Sequence, residues 1–370
     1  MKKKLLFFIP NLAHGGAERV LVNLVNNLDQ NKYDVTVQTL FNVGINRQYL
    51  KQHIHYKPGF SHVIRGNTHI QKLFSPEVLY SCIIDDKYDI VISYLEGVTA
   101  RILSGCHEKD TKKVAWIHTG MTSSRIASCS FRSLSEARRC YSSYDKLVMV
   151  SQDVEKYFTE YFNHNDICVL YNTNETEEIK KKAKLIPSDF QYPINHLTVC
   201  STGRLISVKG FDRLLSVHKR LLDEGYPHTV CILGIGEEEQ NLRRKIREYG
   251  VENSFLLLGF KENPYPYVAR CDLYVCSSRR EGFSTAVTEA LVVGAPVVST
   301  DCSGAKELLG EHDEYGLVVE NSEEGIYRGM KRMLSEPEML VHYRKMAVER
   351  GQVFSRERTV RAVEEMLDSL

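Results

Sequence analysis

The most specific pattern in the sequence is a pair of glutamates, Glu281 and Glu289, within the segment 278–291. An apolar run precedes this segment, so we expect Glu281 in a loop and Glu289 about two turns into the helix that follows. Carboxylates at these two depths can accept hydrogen bonds from the hydroxyls of a hexose and of a ribose. The structural alternative is a solvated pair beside a buried helix, but Glu289 has apolar neighbours, among which an unpartnered carboxylate is costly.

The residues that follow Glu281 begin the predicted helix. Backbone N–H groups at the start of a helix have no partner within it, so they attract an anion such as a phosphate. We expect this role for four consecutive residues, Gly282, Phe283, Ser284 and Thr285. The segment thereby suits a ligand that carries both sugar hydroxyls and phosphate.

Two cations, Arg204 and Lys209, follow another apolar run, in a loop that begins with Gly203. Arginine offers a planar fork of donors and lysine a compact charge, so the two can hold a diphosphate from two sides. The alternative is a pair of solvated loop cations.

The N-terminal half has two further candidates. Gly15 and Gly16 lie between the first apolar run and a helical pattern, where glycine lets the backbone approach an anion closely. The alternative is an ordinary tight turn between strand and helix. His118 ends another apolar run, on the sheet edge where ligands gather, although a lone histidine is more often structural.

Short apolar runs alternate with amphipathic segments along the whole chain, which predicts an α/β fold of parallel strands. At 370 residues the chain exceeds what one core usually serves, so we expect two doubly wound domains facing a cleft. We place a linker at 186–196, because the stretch around it is polar and contains Pro187 and Pro193. Residues 1–185 form the first predicted domain and 197–354 the second, with ligands at the carboxyl ends of the strands.

Composition excludes several classes of function. The formal net charge is +1, which argues against a nucleic-acid-binding polycation. Lys2–Lys4 and the apolar run after them imitate a signal peptide, but the run is too short, and nothing later approaches a membrane span, so a cytoplasmic protein is expected. The ten scattered cysteines suit reduced core thiols.

Motifs for other cofactors are incomplete. Gly234 and Gly236 resemble the start of a dinucleotide fingerprint, but Glu239 stands at the third glycine, so a nicotinamide-dependent oxidoreductase is weakly supported. The Asp-x-Asp pair that many transferases use to hold a divalent metal is absent from the sequence, as is an ATP-binding P-loop. We therefore expect no metal and no cofactor besides the donor.

Together these motifs resemble the large family of retaining glycosyltransferases numbered four, glycosyl transferases group 1, which has the GT-B fold of two Rossmann-like domains. The resemblance covers nearly the whole chain and is strongest from about 197 to 320. It implies that Arg204 and Lys209 bind the diphosphate of a nucleotide-sugar, that Glu281 contacts the sugar and that Glu289 holds the ribose.

The resemblance also implies roles outside these motifs. Gly16 would approach the donor phosphate, His118 would lie beside the transferred sugar, and the backbone at Lys261 would read the base. A final helix at about 355–370 would return to the first domain. Ser284 and Thr285 depart from the family pattern in the sugar pocket, so the identity of the donor sugar stays open.

The resulting prediction is a retaining, metal-independent hexosyltransferase that uses a nucleotide-sugar, with UDP as the favoured nucleotide. The alternative is a non-catalytic subunit of this fold that stabilises a partner glycosyltransferase. Residues 1–190 carry 25 Lys+Arg against 20 Asp+Glu. That basic half suggests a saccharide or polyprenyl-diphosphate-linked acceptor in bacterial surface polysaccharide assembly, and a peripheral contact with an anionic membrane. Uneven surface charge without function is equally compatible.

Overall fold

The computed structural model of the protein describes residues 2–13, 15–61, 70–187, 189–193 and 195–370. The chain forms two compact units. Unit 1 comprises Met1–Asn174 and Glu357–Leu370, and unit 2 comprises Glu175–Arg356.

Unit 1 is built on a seven-stranded sheet in which every strand pair is parallel. The order β3-β2-β1-β4-β5-β6-β7 puts β1 between β2 and β4. The strands are β1 (Lys3–Ile9), β2 (Tyr33–Thr39), β3 (His55–Lys57), β4 (Ile90–Ser93), β5 (Lys112–Ile117), β6 (Lys146–Met149) and β7 (Ile167–Val169). The helices are α1 (Gly16–Val25), α2 (Pro76–Ile83), α3 (Val98–Leu103), α4 (Ser124–Ala127), α5 (Leu134–Ser142) and α6 (Gln152–Thr159).

Unit 2 repeats this winding on a six-stranded parallel sheet, with the order β10-β9-β8-β11-β12-β13. Its strands are β8 (Leu197–Thr202), β9 (His228–Leu233), β10 (Phe255–Gly259), β11 (Leu273–Cys276), β12 (Val297–Thr300) and β13 (Leu317–Val319). Its helices are α7 (Thr176–Ala183), α8 (Phe211–Asp223), α9 (Glu239–Tyr249), α10 (Tyr265–Arg270), α11 (Thr285–Val292), α12 (Ala305–Leu309), α13 (Glu323–Ser335) and α14 (Pro337–Gly351). Short 3₁₀ turns occur at Asn46–Tyr49, Ser207–Lys209 and Gln352–Phe354.

The sequence explains why these elements form. The strands at the centre of each sheet are apolar on both faces, as burial between two helical layers requires, and Leu5 to Ile9 are fully buried. Serine begins several helices by accepting a hydrogen bond from a backbone N–H of the first turn, as Ser151 does before α6 and Ser322 before α13.

The predicted α/β class of two doubly wound units is confirmed. The sequence predicts eleven strands, and each exists with ends that differ by at most two residues: 5–9, 35–40, 90–93, 114–117, 147–150, 197–202, 229–233, 255–258, 273–276, 296–299 and 316–319. The short strands β3 and β7 are additions, with three residues each. In both sheets the strand order reverses beside the first strand, at β1 and at β8, which is where folds of this kind bind ligands.

The boundary between the units lies earlier than the linker that we placed at 186–196. Residues 176–183 form α7, which packs on α10 and α11 of unit 2. Arg270 of α10 donates to the carbonyl of Ala183 at 2.9 Å, and Asn263 donates to that of Lys182. The polar composition of this stretch reflects a helix with one exposed face, which carries a run of glutamates and lysines.

The last helix, α15 (Arg356–Asp368), packs on unit 1. Lys3 Nζ donates to the carbonyl of Leu367 at 2.9 Å, and the hydroxyl of Tyr33 donates to Asp368 at 2.6 Å. The helix also buries Val363 and Leu367.

Candidate functional site

Two loops meet at the carboxyl edge of the sheet of unit 2, where the strand order reverses. One follows β8 and runs from Gly203 to Gly210, and the other follows β11 and runs from Ser277 to Ser284. Gly210 brings them together, because a Cβ at this residue would lie 2.1 Å from the carbonyl oxygen of Ser277. Its φ of 67° is also in the left-handed region that favours glycine.

The meeting of the two loops produces the central contact of the site. Lys209 Nζ lies 2.6 Å from Glu281 Oε1, and the same carboxylate oxygen accepts from the Ser278 hydroxyl at 2.5 Å. The lysine side chain is 22% exposed and the glutamate side chain 14%. The pair is therefore shielded from bulk solvent yet reachable, a setting in which charges act more strongly than in water.

Two arginines, Arg279 and Arg213, hold the two loops in their relative positions. Arg279 forms a bidentate pair with Asp212, at 2.8 and 2.7 Å, and its backbone N–H donates to Val208. The pKa of Asp212 is lowered, since the guanidinium and nearby N–H groups outweigh the effect of burial. Arg213 donates to the carbonyl of Ser277 at 2.6 Å. These contacts fix Lys209 and Glu281 from outside the pair.

A third loop, after β9, explains the glycines at 234 and 236. A Cβ at Gly234 would lie 1.9 Å from the carbonyl oxygen of Gly203, and one at Gly236 would lie 2.4 Å from that of Leu205. The N–H of Leu205 donates to the carbonyl of Ile235 at 2.9 Å. These glycines allow two backbones to pack closely, which accounts for them without a dinucleotide.

Arg204 differs from Lys209 in its surroundings. Its side chain is exposed and has no hydrogen bond or ion pair with the described part of the chain. The structure thus brings Gly203, Lys209 and Glu281 together, while Arg204 extends from the same loop into solvent.

The start of α11 shows how the residues after Glu281 are arranged. Ser284 begins the helix, and its hydroxyl accepts from the N–H of Val287 at 3.4 Å. The ring of Phe283 is buried and packs on Phe354, with ring centroids 5.8 Å apart. Phe283 therefore contributes its backbone rather than its ring, and Gly282 and Thr285 are partly exposed.

The two outlying residues of the site have partners that the sequence did not indicate. Glu289 accepts a hydrogen bond from the hydroxyl of Tyr265 at 3.3 Å. Lys261 forms an ion pair with Asp189, which also accepts from the hydroxyl of Tyr267. The side chain of Lys261 is thus engaged, and only its backbone is available for the predicted contact with a base.

In unit 1, the predicted residues also lie at the carboxyl ends of strands. Gly15 precedes α1 and Gly16 is its first residue. His118 follows β5, and its backbone N–H donates to Glu96 Oε2 at 2.8 Å. Burial lowers the pKa of His118 to about 3, so its imidazole is neutral at physiological pH. His118 Nε2 is buried without a hydrogen-bond partner among the described residues.

Sequence reasoning missed several residues that shape these sites. Ser278 and Arg279 belonged to the glutamate segment but received no role. Asp212 and Tyr265 belong to no sequence motif. Their partners, Arg279 and Glu289, are distant in the sequence and come close only in the folded chain. Glu96 follows the short apolar run of β4, and its position after a strand was the one available signal.

The described residues contain neither a metal-binding cluster nor a membrane-spanning helix. No group of three or more His, Cys, Asp or Glu side chains there is arranged to hold a metal ion. No helix there has the length and apolar character needed to cross a bilayer.

Comparison with known proteins agrees with this geometry in both halves of the chain. Residues 14–178 match the family model Glycosyltransferase Family 4, and residues 183–350 match the model Glycosyl transferases group 1. An amylovoran biosynthesis glycosyltransferase of Erwinia amylovora is 25% identical over 342 residues, which are 91% of each chain. An N-acetylgalactosamine-N,N'-diacetylbacillosaminyl-diphospho-undecaprenol 4-alpha-N-acetylgalactosaminyltransferase of Campylobacter jejuni is 34% identical over 195 residues, which are 52% of this chain and 51% of the relative.

The fold has a solved counterpart. The crystal structure of Anabaena HepE in complex with UDP superposes with a TM-score of 0.79 at 20% identity and covers 100% of both chains. The two parallel, doubly wound sheets are thus those of the GT-B fold, and the chain is a glycosyltransferase that belongs to family four, the glycosyl transferases group 1.

Proposed function

We propose that this glycosyltransferase moves a hexosyl or N-acetylhexosaminyl group from a UDP-sugar to a lipid-linked saccharide, with retention of anomeric configuration and without a bound metal. The observation that carries the proposal is the shielded Lys209–Glu281 pair, held at the reversal of strand order in unit 2. This arrangement places a cation and a hydroxyl acceptor side by side, as a sugar diphosphate requires.

The donor would lie along the loops of unit 2. Lys209 and the exposed Arg204 would hold the diphosphate, with backbone N–H groups from Gly282 to Thr285. Glu281 would accept from sugar hydroxyls and Glu289 from the ribose, with the base at the backbone of Lys261. UDP is the favoured nucleotide because HepE, which shares the fold, was crystallised with UDP.

The chemistry proposed needs no covalent intermediate on the enzyme. The acceptor oxygen bonds to the anomeric carbon on the face that the leaving group vacates, while the bond from that carbon to the phosphate oxygen breaks. The electron pair leaves with the nucleoside diphosphate, and the acceptor proton passes to one of its phosphate oxygens. Lys209 and Arg204 would stabilise the charge that develops there.

Unit 1 would bind the acceptor, with Gly16 and His118 in the roles expected from the family. A neutral His118 can accept or donate a hydrogen bond but adds no positive charge. The Campylobacter relative, named for a diphospho-undecaprenol-linked acceptor, supports a lipid-linked saccharide. The Erwinia relative, named for amylovoran biosynthesis, supports a place in bacterial polysaccharide assembly. A peripheral membrane contact would follow from such an acceptor.

Calorimetry with UDP, GDP, ADP and their common sugar conjugates, without added metal, tests this proposal. We expect binding of UDP and of one UDP-sugar, unchanged by a chelator and lost in Glu289→Ala. If GDP or ADP binds instead of UDP, the proposed UDP-sugar donor is wrong and the donor carries that other nucleotide. If a chelator abolishes binding, the proposed independence from metal is wrong. No binding across the panel would overturn the proposed function.

A further inference from the structure

Glu96 is a carboxylate whose surroundings the donor chemistry does not explain. It lies in unit 1, just after β4, and its Oε2 accepts from the backbone N–H of His118 at 2.8 Å. Thr119 supplies further hydrogen bonds, yet burial dominates and raises the pKa of Glu96. Glu96 forms no ion pair with any lysine or arginine in the described ranges.

Glu136 of the same unit shows what a purely structural carboxylate looks like here. It is 5% exposed, and its Oε1 lies 2.9 Å from the guanidinium of Arg101. Its pKa is lowered, because hydrogen bonds from Arg101 and Arg132 outweigh burial. Buried carboxylates are normally paired in this way, whereas Glu96 is partly buried, and the described residues that donate hydrogen bonds to it are neutral.

Glu96 also lines a cavity of about 230 Å³. Polar groups of Glu96, Thr119 and Ser130 share its wall with apolar side chains. Among the latter, the rings of Phe131 and Tyr141 lie 5.5 Å apart between centroids. A mostly apolar wall with a few convergent polar groups is the usual construction of a small-molecule site.

The chemistry of this wall selects among ligands. The described lining of this cavity contains no lysine or arginine, so the diphosphate of an acceptor is disfavoured here. A sugar ring offers hydroxyl donors for Glu96 and apolar C–H groups for the partly exposed side chain of Ile126. We propose that this cavity binds an uncharged sugar ring of the acceptor, with Glu96 accepting hydrogen bonds from its hydroxyls. The proposal rests on the proposed transferase function and adds the class of group that unit 1 recognises.

The test measures sugar binding apart from activity. Methyl glycosides of glucose, galactose, N-acetylglucosamine and N-acetylgalactosamine are titrated by NMR into the full chain with saturating UDP. We expect at least one to bind, with affinity about 10-fold or more weaker in Glu96→Gln, because an amide nitrogen that cannot accept a hydrogen bond replaces one carboxyl oxygen. Ser130→Leu, which fills the cavity, should abolish binding. Glu160→Gln makes the same change on an exposed residue of unit 1 and should have no effect.

Each outcome decides a separate question, with UDP affinity measured on every variant. Glycoside binding that is unchanged in both Glu96→Gln and Ser130→Leu overturns the cavity assignment, as does wild-type protein that binds UDP but none of the glycosides. Methyl glucosaminide is titrated as a cationic control, and its binding without binding of any of the four neutral glycosides would show recognition of an ammonium and overturn the uncharged ligand. Failure of the wild type to bind UDP would instead count against the proposed function.

Discussion

Lys209 and Glu281 are 72 residues apart in the sequence, and their Nζ and Oε1 atoms lie 2.6 Å apart. The contact depends on two loops from different strands, brought together at Gly210 and held by Arg279 and Arg213. Without a donor, Glu281 neutralises the charge of the shielded Lys209. When a nucleotide-sugar binds, its phosphate oxygens would compete with Glu281 for Lys209.

Removal of either cation should slow transfer. We expect Lys209→Ala and Arg204→Ala each to lower kcat at least about 100-fold, because each loses a donor to the leaving diphosphate. Release of UDP from a UDP-sugar in the presence of acceptor measures this rate. Arg243→Ala, an exposed arginine on α9, is the control and should keep wild-type turnover. Near wild-type kcat in both variants would refute the phosphate role.

Gly210 should tolerate alanine far less than Gly250 does. The two have nearly the same φ, 67° and 65°, but a Cβ at Gly250 would have no neighbour within 4 Å. Gly250→Ala should therefore cost about 1–2 kcal/mol of left-handed strain alone. Gly210→Ala adds the collision with Ser277, so its loss of stability in urea unfolding should be larger and accompanied by weaker UDP binding. Equal losses would show that the loops can separate without cost.

Unit 2 should lose stability in mild acid. His218 Nδ1 and His228 Nε2 lie 2.9 Å apart, and burial lowers the pKa of His218 to about 3 and also lowers that of His228. The unfolded chain then binds protons below pH 6.5 that the folded unit refuses, so stability present above pH 6.5 falls as pH decreases toward 3. For His218 alone we expect a fall of about 2 kcal/mol between pH 7 and pH 5.

Urea unfolding at both pH values checks this slope. His218→Phe should flatten it, whereas His342→Phe, which removes an exposed histidine of α14, should leave it unchanged. An identical slope in His218→Phe would assign the acid sensitivity to other groups.

Deletion of residues 357–370 should lower the stability of unit 1 and leave unit 2 intact. The deletion removes the contacts of α15 with Lys3 and Tyr33 and exposes the apolar surface beneath Val363 and Leu367. We expect the unfolding temperature of unit 1 to fall, while calorimetry still shows UDP binding at wild-type affinity, since that site is proposed in unit 2. Lost UDP binding would mean that the donor site needs the C-terminal helix.

Much of the fold could be predicted from the sequence, because central strands are continuous apolar runs that few other elements resemble. Two short strands were not predicted, because neither is a long apolar run. His55–Lys57 has three residues, two of them basic, and Ile167–Val169 also has only three. Helix α7 escaped for another reason. Its apolar face is only Ile179 and Ala183, too small to stand out among lysines and glutamates.

The candidate site was predictable as a set of residue types but not as a set of contacts. Glycines and charges after strands mark an edge of a sheet, which periodicity can locate. Which carboxylate faces which cation depends on loop conformations, and neither the pairing of Lys209 with Glu281 nor that of Lys261 with Asp189 follows from spacing. That Glu96 has no lysine or arginine partner among the described residues is still harder to predict from the sequence, because the prediction requires knowledge of every neighbouring side chain.

The position of α15 has a consequence for biosynthesis. Unit 1 contains both the first strand and the last helix of the chain, with all of unit 2 encoded between them. During translation, residues 1–174 of unit 1 are made before unit 2, whereas the helix that covers Lys3 and Tyr33 is made after it. The half of the chain that is made first therefore cannot complete its fold until all of unit 2 has been synthesised.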